Sequence, residues 1–200
     1  MKDKSDDILI QQMINGLKHV KVEGEFIGTF IVDNEKGLVM IFKNTNGQSF
    51  TFNQMVDEIV TWTSTFPDSE FSYVVATDSQ VHKIRRKPIW YTTYITVVWV
   101  HRDHKGGRLW ILEDRVYERI DMLKRLMKET QMSIDLMTNI SESKLKSRLD
   151  DFCVHIDVGN EGKSRSVVEA CQGWVQGMGY KAEVKPKAVG AYAVADHFSK

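Results

Sequence analysis

Apolar residues recur along the chain with two different spacings, and the switches between them divide it into elements. Gaps of three to four mark a helix over 5–18, through Ile8, Met13, Ile14 and Leu17, with Gly16 near its end. The same spacing marks 51–62 through Met55, Ile59 and Trp62, before a break at Pro67-Asp68-Ser69. A longer helix follows Asp121, a suitable N-cap, with Leu123, Met127, Thr130, Ile134 and Met137 as its expected buried stripe. Val167, Val168, Cys171, Trp174, Val175 and Met178 predict another amphipathic helix, closed by Gly179. An Ala-rich segment over 187–198, after Pro186, predicts a short last helix.

Between these lie runs rich in β-branched and aromatic residues. Residues 22–32 and 38–42, joined by the turn residues 33–37, predict a hairpin. Phe71 to Thr77, Ile89 to His101 and Arg108 to about Tyr117 predict three strands in meander order, the last two joined by a turn over 102–107. Phe152 to Val158 and Tyr180 to Val184 predict a fourth and a fifth. The stretch from Ser141 to Asp150 is a charged connection, and the chain has neither an internal repeat nor a low-complexity tract.

From residue 43 onward the order is β-β-β-α-β-α-β-α. A helix after the third meander strand can cross over, so that the fourth strand runs parallel to the first. The expectation is an α/β domain over 43–200, with a central five-stranded mixed sheet flanked by helices. Residues 1–42 form a small N-terminal appendage of helix and hairpin.

Composition changes this picture little. The hydrophobic fraction of 42% and charged fraction of 27% are ordinary globular values. Lys+Arg and Asp+Glu are 27 each, so any affinity for nucleic acid must come from a local patch and not from overall charge. Cys153 and Cys171 form no CxxC pair, which removes the usual thiolate zinc signature and leaves two buried, reduced cysteines as the expectation. His101 and His104, or His82 and His155, make a poor zinc set, without thiols or an obvious third ligand. Met1 to Ile10 lacks an apolar signal region, and no apolar run is long enough to span a bilayer. The expected location is the cytoplasm, with no membrane partner.

Chemistry enters with the acidic residues. Asp78 follows the first main strand, and Asp157 interrupts an apolar one in His155-Ile156-Asp157-Val158-Gly159. A buried strand carboxylate is costly unless it is paired or holds a cation. Two such carboxylates on adjacent parallel strands would repel, and a divalent ion answers that repulsion. Each also has a plainer reading, as a turn cap or a strand-end acceptor of backbone amides. Glu129 lies at the border of the long helix's stripe, with Glu118 as its rival near the strand-to-helix junction, and Asp196 lies in the last helix. For these the plainer reading is a solvated helix face.

Several short stretches occur in a characteristic order. They are Thr77-Asp78-Ser79-Gln80-Val81-His82, Arg125-Leu126-x-x-Glu129-x-x-x-Ser133 and His155-Ile156-Asp157-Val158-Gly159 followed by Gly162-x-Ser164. Gly173-Trp174, Lys185-Pro186-x-Ala188 and Ala195-Asp196 complete the set. Together they resemble the YkuK-like family of ribonuclease H-like bacterial proteins, from about Phe42 to Lys200. The strand before Asp78 ends Ala76-Thr77 where that family more often has Gly-Thr.

The resemblance implies a ribonuclease H-like fold, in which Asp78, Glu129, Asp157 and Asp196 match the acidic positions of metal-dependent nucleases. It implies Mg²⁺ or Mn²⁺ as cofactor and hydrolysis of a phosphodiester. Beside that set, Ser79 and Gln80 can contact a scissile strand. Lys83, Arg85, Arg86 and Lys87 form one basic cluster, and Lys181, Lys185 and Lys187 a second, that can bind phosphates of RNA, DNA or a hybrid. The alternative is a catalytically silent module of the same fold that binds nucleic acid or a protein.

Overall fold

The computed structural model describes residues 30–33, 37–86, 88–103, 105–156 and 165–184. The expected helices over 5–18 and 187–198 lie outside them. In chain order the elements begin with β1 (Phe30–Asp33), β2 (Gly37–Asn44) and β3 (Ser49–Thr51), followed by α1 (Phe52–Ser64). The meander is β4 (Phe71–Lys83), β5 (Trp90–Arg102) and β6 (Gly107–Val116). Then come α2 (Met122–Ser141), a 3-10 turn (Lys146–Asp151), β7 (Phe152–Ile156), α3 (Arg165–Gly177) and β8 (Lys181–Val184).

Local chemistry sets the helix starts. Thr51 and Gln54 cap α1 reciprocally, each side chain accepting from the other's backbone N–H at 3.3 and 2.9 Å. One carboxylate oxygen of Asp121 accepts from the backbone of Leu123 and Lys124, both at 3.1 Å, which fixes the start of α2 as expected. Gly179, at φ +85°, ends the turn after α3 in a conformation costly for residues with a Cβ.

The strands form one mixed sheet in the order β1-β2-β6-β5-β4-β7-β8, with β3 paired to β2. β4, β5 and β6 are antiparallel, and β7 joins β4 in parallel, with β8 parallel beyond it. The five expected strands are present and contiguous. The hairpin strand β2 runs through residue 42 and pairs with β6, and Phe42 is fully buried in the main core. That pairing covers the β6 edge at Trp110 and Ile111, which would otherwise expose unpaired backbone groups there.

One face of the sheet carries the larger core. Tyr73 and Val75 of β4, Trp110 of β6, and Phe152 and Val154 of β7 pack with Met55 and Ile59 of α1, Met137 and Ile140 of α2, and Val175 of α3. The other face has a smaller cluster built on Val74, Ala76, Ile95, Val97 and Leu109.

Two expectations are corrected. β4 does not stop at Thr77 but runs on to Lys83, because Asp78 to Lys83 pair in unbroken register with Ile95 to Trp90; their polarity had suggested a strand end. The stripe of α2 is also rotated. Leu123 and Met127 are 47% and 52% exposed, while Leu126, Glu129, Thr130, Ser133, Ile134 and Met137 are buried. The Ser133 hydroxyl and the Glu129 carboxylate on the buried side bond to the sheet, and the Thr130 hydroxyl to the Leu126 carbonyl, which made the apolar spacing misleading there.

Candidate functional site

The polar second half of β4 meets the first half of α2. The Thr77 hydroxyl lies 2.9 Å from both the Ser133 and the Thr96 hydroxyls. Two residues on, the Ser79 hydroxyl donates to the Glu129 carboxylate at 2.5 Å. Arg125, one turn before Glu129 on α2, donates to the Ser79 carbonyl at 2.8 Å and its hydroxyl at 3.2 Å. Glu129 is only 9% exposed. Its burial is tolerable because a donor and a guanidinium lie close by.

A second layer sits on β5 and β6. Ser79, Tyr94 and Asp114 are neighbours in register across β4, β5 and β6, and Tyr94 and Asp114 are both buried. The Tyr94 hydroxyl has no hydrogen-bond partner among the described residues. Its pKa is pushed up to about 12, first by burial and then by the charge of Glu129, with Arg125 opposing and Asp114 and Glu118 adding. The phenol therefore stays protonated at neutral pH. Asp114 was missed by sequence reading; its signal is a lone carboxylate on the inward side of an alternating strand.

The helix begins at Met122, past Glu118, so the carboxylate that α2 brings to β4 is Glu129. Glu118 is exposed in the preceding connection, where its backbone carbonyl accepts from Thr92 at 2.8 Å. The resemblance puts Glu129 and Asp78 in one acidic set. Strand alternation instead directs Asp78 to the face opposite Thr77 and Ser79, and Glu129 meets Ser79.

Asp78 lies on β4 two residues beyond Ala76, which stands opposite His155 of β7 in parallel register. β7 is described to Ile156, and Asp157 is the next residue in the chain. Asp157, Asp196, Lys185 and Lys187 lie outside the described residues, as does Lys87. His155 is buried and its pKa is lowered by that burial, with the Glu183 carboxylate opposing. Burial pushes the nearby Cys153 thiol up to about 11.

Beyond Asp78, the tip formed by β4, β5 and β6 interleaves rings with cations. Alternation places Gln80 and His82 on the same face as Asp78. The His82 ring stacks on Tyr91 at 4.8 Å between centroids and 19° between planes, and Tyr117 lies 6.1 Å beyond. Arg115 lies over Tyr91 at 4.9 Å. On the α2 face, Lys83 and Arg119 lie over Trp90 at 5.3 and 4.8 Å. A groove of ≈ 490 Å³ there runs from Trp90 and Val81 past Arg119 to Arg125, which holds Ser79. Arg85 and Arg86 are exposed in the turn after β4, Arg86 in a left-handed backbone conformation with φ 64°. Spacing along the sequence hides this tip, because its rings and cations come from three strands in register.

The profile of the family described as ribonuclease H-like matches residues 54–200. The chain belongs to that family. Its match begins in α1 and takes in the whole meander, β7 and β8. The uncharacterised protein YkuK of Bacillus subtilis (strain 168) is 25% identical over 173 residues, 80% of this chain and 97% of that protein. This agrees with the YkuK-like resemblance of the ordered motifs. No solved structure gave a significant match. Among the described residues, no helix is long and apolar enough to cross a membrane.

Proposed function

We propose that the protein is a metal-dependent nuclease of the ribonuclease H-like type, hydrolysing phosphodiester bonds in a nucleic acid. The observation that carries this reading is the parallel pairing of β4 with β7, which sets the strand of Asp78 against the strand leading to Asp157. Asp78 and Asp157 would be the principal ligands, with Asp196 as a further carboxylate; Glu129, which meets Ser79 on the other side of β4, would stand outside that set. The donor set fits the ion: Asp78 is part-buried in a central strand, and carboxylates with water are what Mg²⁺ or Mn²⁺ takes. Such an ion, when bound, lowers the pKa of a water and offsets charge on the leaving oxygen.

The chain's own groups would do the positioning. Gln80, on the Asp78 face, has the donors and acceptors to hold a strand. The His82–Tyr91 stack gives bases a platform, and Arg115 beside it a cation for phosphate. Lys83, Arg85 and Arg86 would extend that contact at the tip, with Lys185 and Lys187 as a second cluster. Ser79 bonds Glu129 through its hydroxyl and Arg125 through its carbonyl, so its role is to fix β4 against α2.

The test is cleavage of labelled RNA, DNA and hybrid with Mg²⁺, Mn²⁺ or EDTA, comparing wild type with Asp78→Asn. We expect cleavage that needs the metal and disappears in Asp78→Asn, with the fold unchanged by circular dichroism. Cleavage that persists in Asp78→Asn would exclude this site. A second reading is a binding module without catalysis. It is favoured by the partition of Asp78 and Glu129 to opposite sides of β4, with Glu129 already held by Ser79. Nucleic-acid binding without cleavage, and no metal bound at millimolar concentration, would decide for it.

A further inference from the structure

A different donor set occupies the far edge of the sheet. Cys153 and His155 are two apart on β7 and so share a face, and Glu183 of β8 stands opposite His155 in register. The cysteine sulfur, an imidazole nitrogen and a carboxylate oxygen all lie within 4.8 Å of one another. Among the described residues these are the only three such side chains so gathered.

The second observation is the histidine itself. Its side chain is 10% exposed, and its Nδ1 has no hydrogen-bond partner among the described residues. Its Nε2 lies 3.6 Å from the Glu183 carboxylate, too far for a hydrogen bond. Buried imidazole nitrogens are normally bonded, because an unmet donor or acceptor there costs stability. Here the Glu183 carboxylate across the register is out of hydrogen-bond reach.

We propose that Cys153, His155 and Glu183 bind one zinc-class divalent cation, leaving a fourth position open to water. Thiolate, imidazole and carboxylate suit zinc, whereas magnesium takes oxygen donors alone. Zinc bonds of about 2.0–2.3 Å put tetrahedral ligand atoms about 3.3–3.8 Å apart. The one separation of the set given closely, 3.6 Å between His155 Nε2 and the Glu183 carboxylate, already falls in that range, and the Glu183 side chain is 45% exposed. The ion would clamp β8 to β7, a pairing of four residues on each strand at the end of the sheet. Cys171 takes no part, since it lies in the core on the α3 side. The absence of a CxxC pair had argued against any such site, because donors two apart on one strand and across a register leave no familiar spacing. The inference is independent of the nuclease reading.

The full chain, stripped of metal, would be titrated with Co²⁺ and Zn²⁺ and followed by absorbance. Wild type should show a thiolate-to-cobalt charge-transfer band that saturates at one equivalent of Co²⁺ and is displaced by Zn²⁺. Cys153→Ser should lose the band. Glu183→Gln, at an accessible position that leaves the core untouched, should keep the band with affinity at least about tenfold weaker. Cys171→Ala and Asp78→Asn should match wild type, which separates this site from the proposed magnesium or manganese site. Absence of a stoichiometric band in wild type, its survival in Cys153→Ser, or full affinity in Glu183→Gln would overturn the proposal.

Discussion

The two halves of β4 share one unbroken ladder and differ in almost everything else. Before Thr77, Tyr73 and Val75 are buried in the large core, and the Tyr73 ring packs against Phe152 with centroids 4.8 Å apart. From Thr77 onward the same strand is surrounded by hydroxyls, a carboxylate, a guanidinium and, at its end, rings topped by cations. The first half contributes stability through burial. The second is held by specific hydrogen bonds, and those bonds leave polar groups in place for chemistry. A strand can serve both ends because backbone pairing is indifferent to the side chains it carries.

That contrast can be broken by mutation. The largest effect is expected in the apolar half. Phe152→Ala removes the ring against Tyr73 and should cost about 3–5 kcal/mol of stability, measured by urea unfolding. Leu126→Ala, on the buried side of α2, should cost about 2–5 kcal/mol. A loss under 1 kcal/mol in both would mean that the core lies elsewhere. In the polar half, Ser79→Ala leaves the buried Glu129 without its hydroxyl donor and should cost about 1–3 kcal/mol. If the variant is as stable as wild type, the Ser79–Glu129 bond does not hold the site together.

The tip sharpens the comparison, since there the expected loss is in binding and not in folding. Tyr91→Ala should weaken single-stranded nucleic acid by about 1–3 kcal/mol, the worth of one stacked base, in a fluorescence anisotropy titration at fixed salt. An equal loss for Glu70→Ala, an exposed residue before the other end of β4, would show the effect to be nonspecific. The smallest change is reserved for the rotated stripe. Leu123→Ala, although an apolar helix position, should shift stability by no more than about 0.5 kcal/mol.

Much of this was legible in the residues alone. The order of strands and helices follows from apolar period and turn chemistry, both local, and so does the Asp121 cap of α2. Asp78 was singled out as a carboxylate at the end of an apolar strand, and Glu129 by its place at the border of a helical stripe together with the family resemblance. The extent of β4 was not legible, because residues 78–83 look like a loop until their partners on β5 are known. Nor was the inward face of α2, where Glu129, Thr130 and Ser133 are buried by bonding instead of by hydrophobicity.

The sequence by itself determined which elements form, in what order, and which carboxylates stand out among them. Only the tertiary structure decided that β4 runs on to Lys83, that Glu129 turns to Ser79, and that Cys153, His155 and Glu183 gather at the sheet edge. The reason is physical. Local propensity acts over a few neighbouring residues, whereas strand register joins positions far apart in the chain and, through alternation, sorts adjacent side chains to opposite faces.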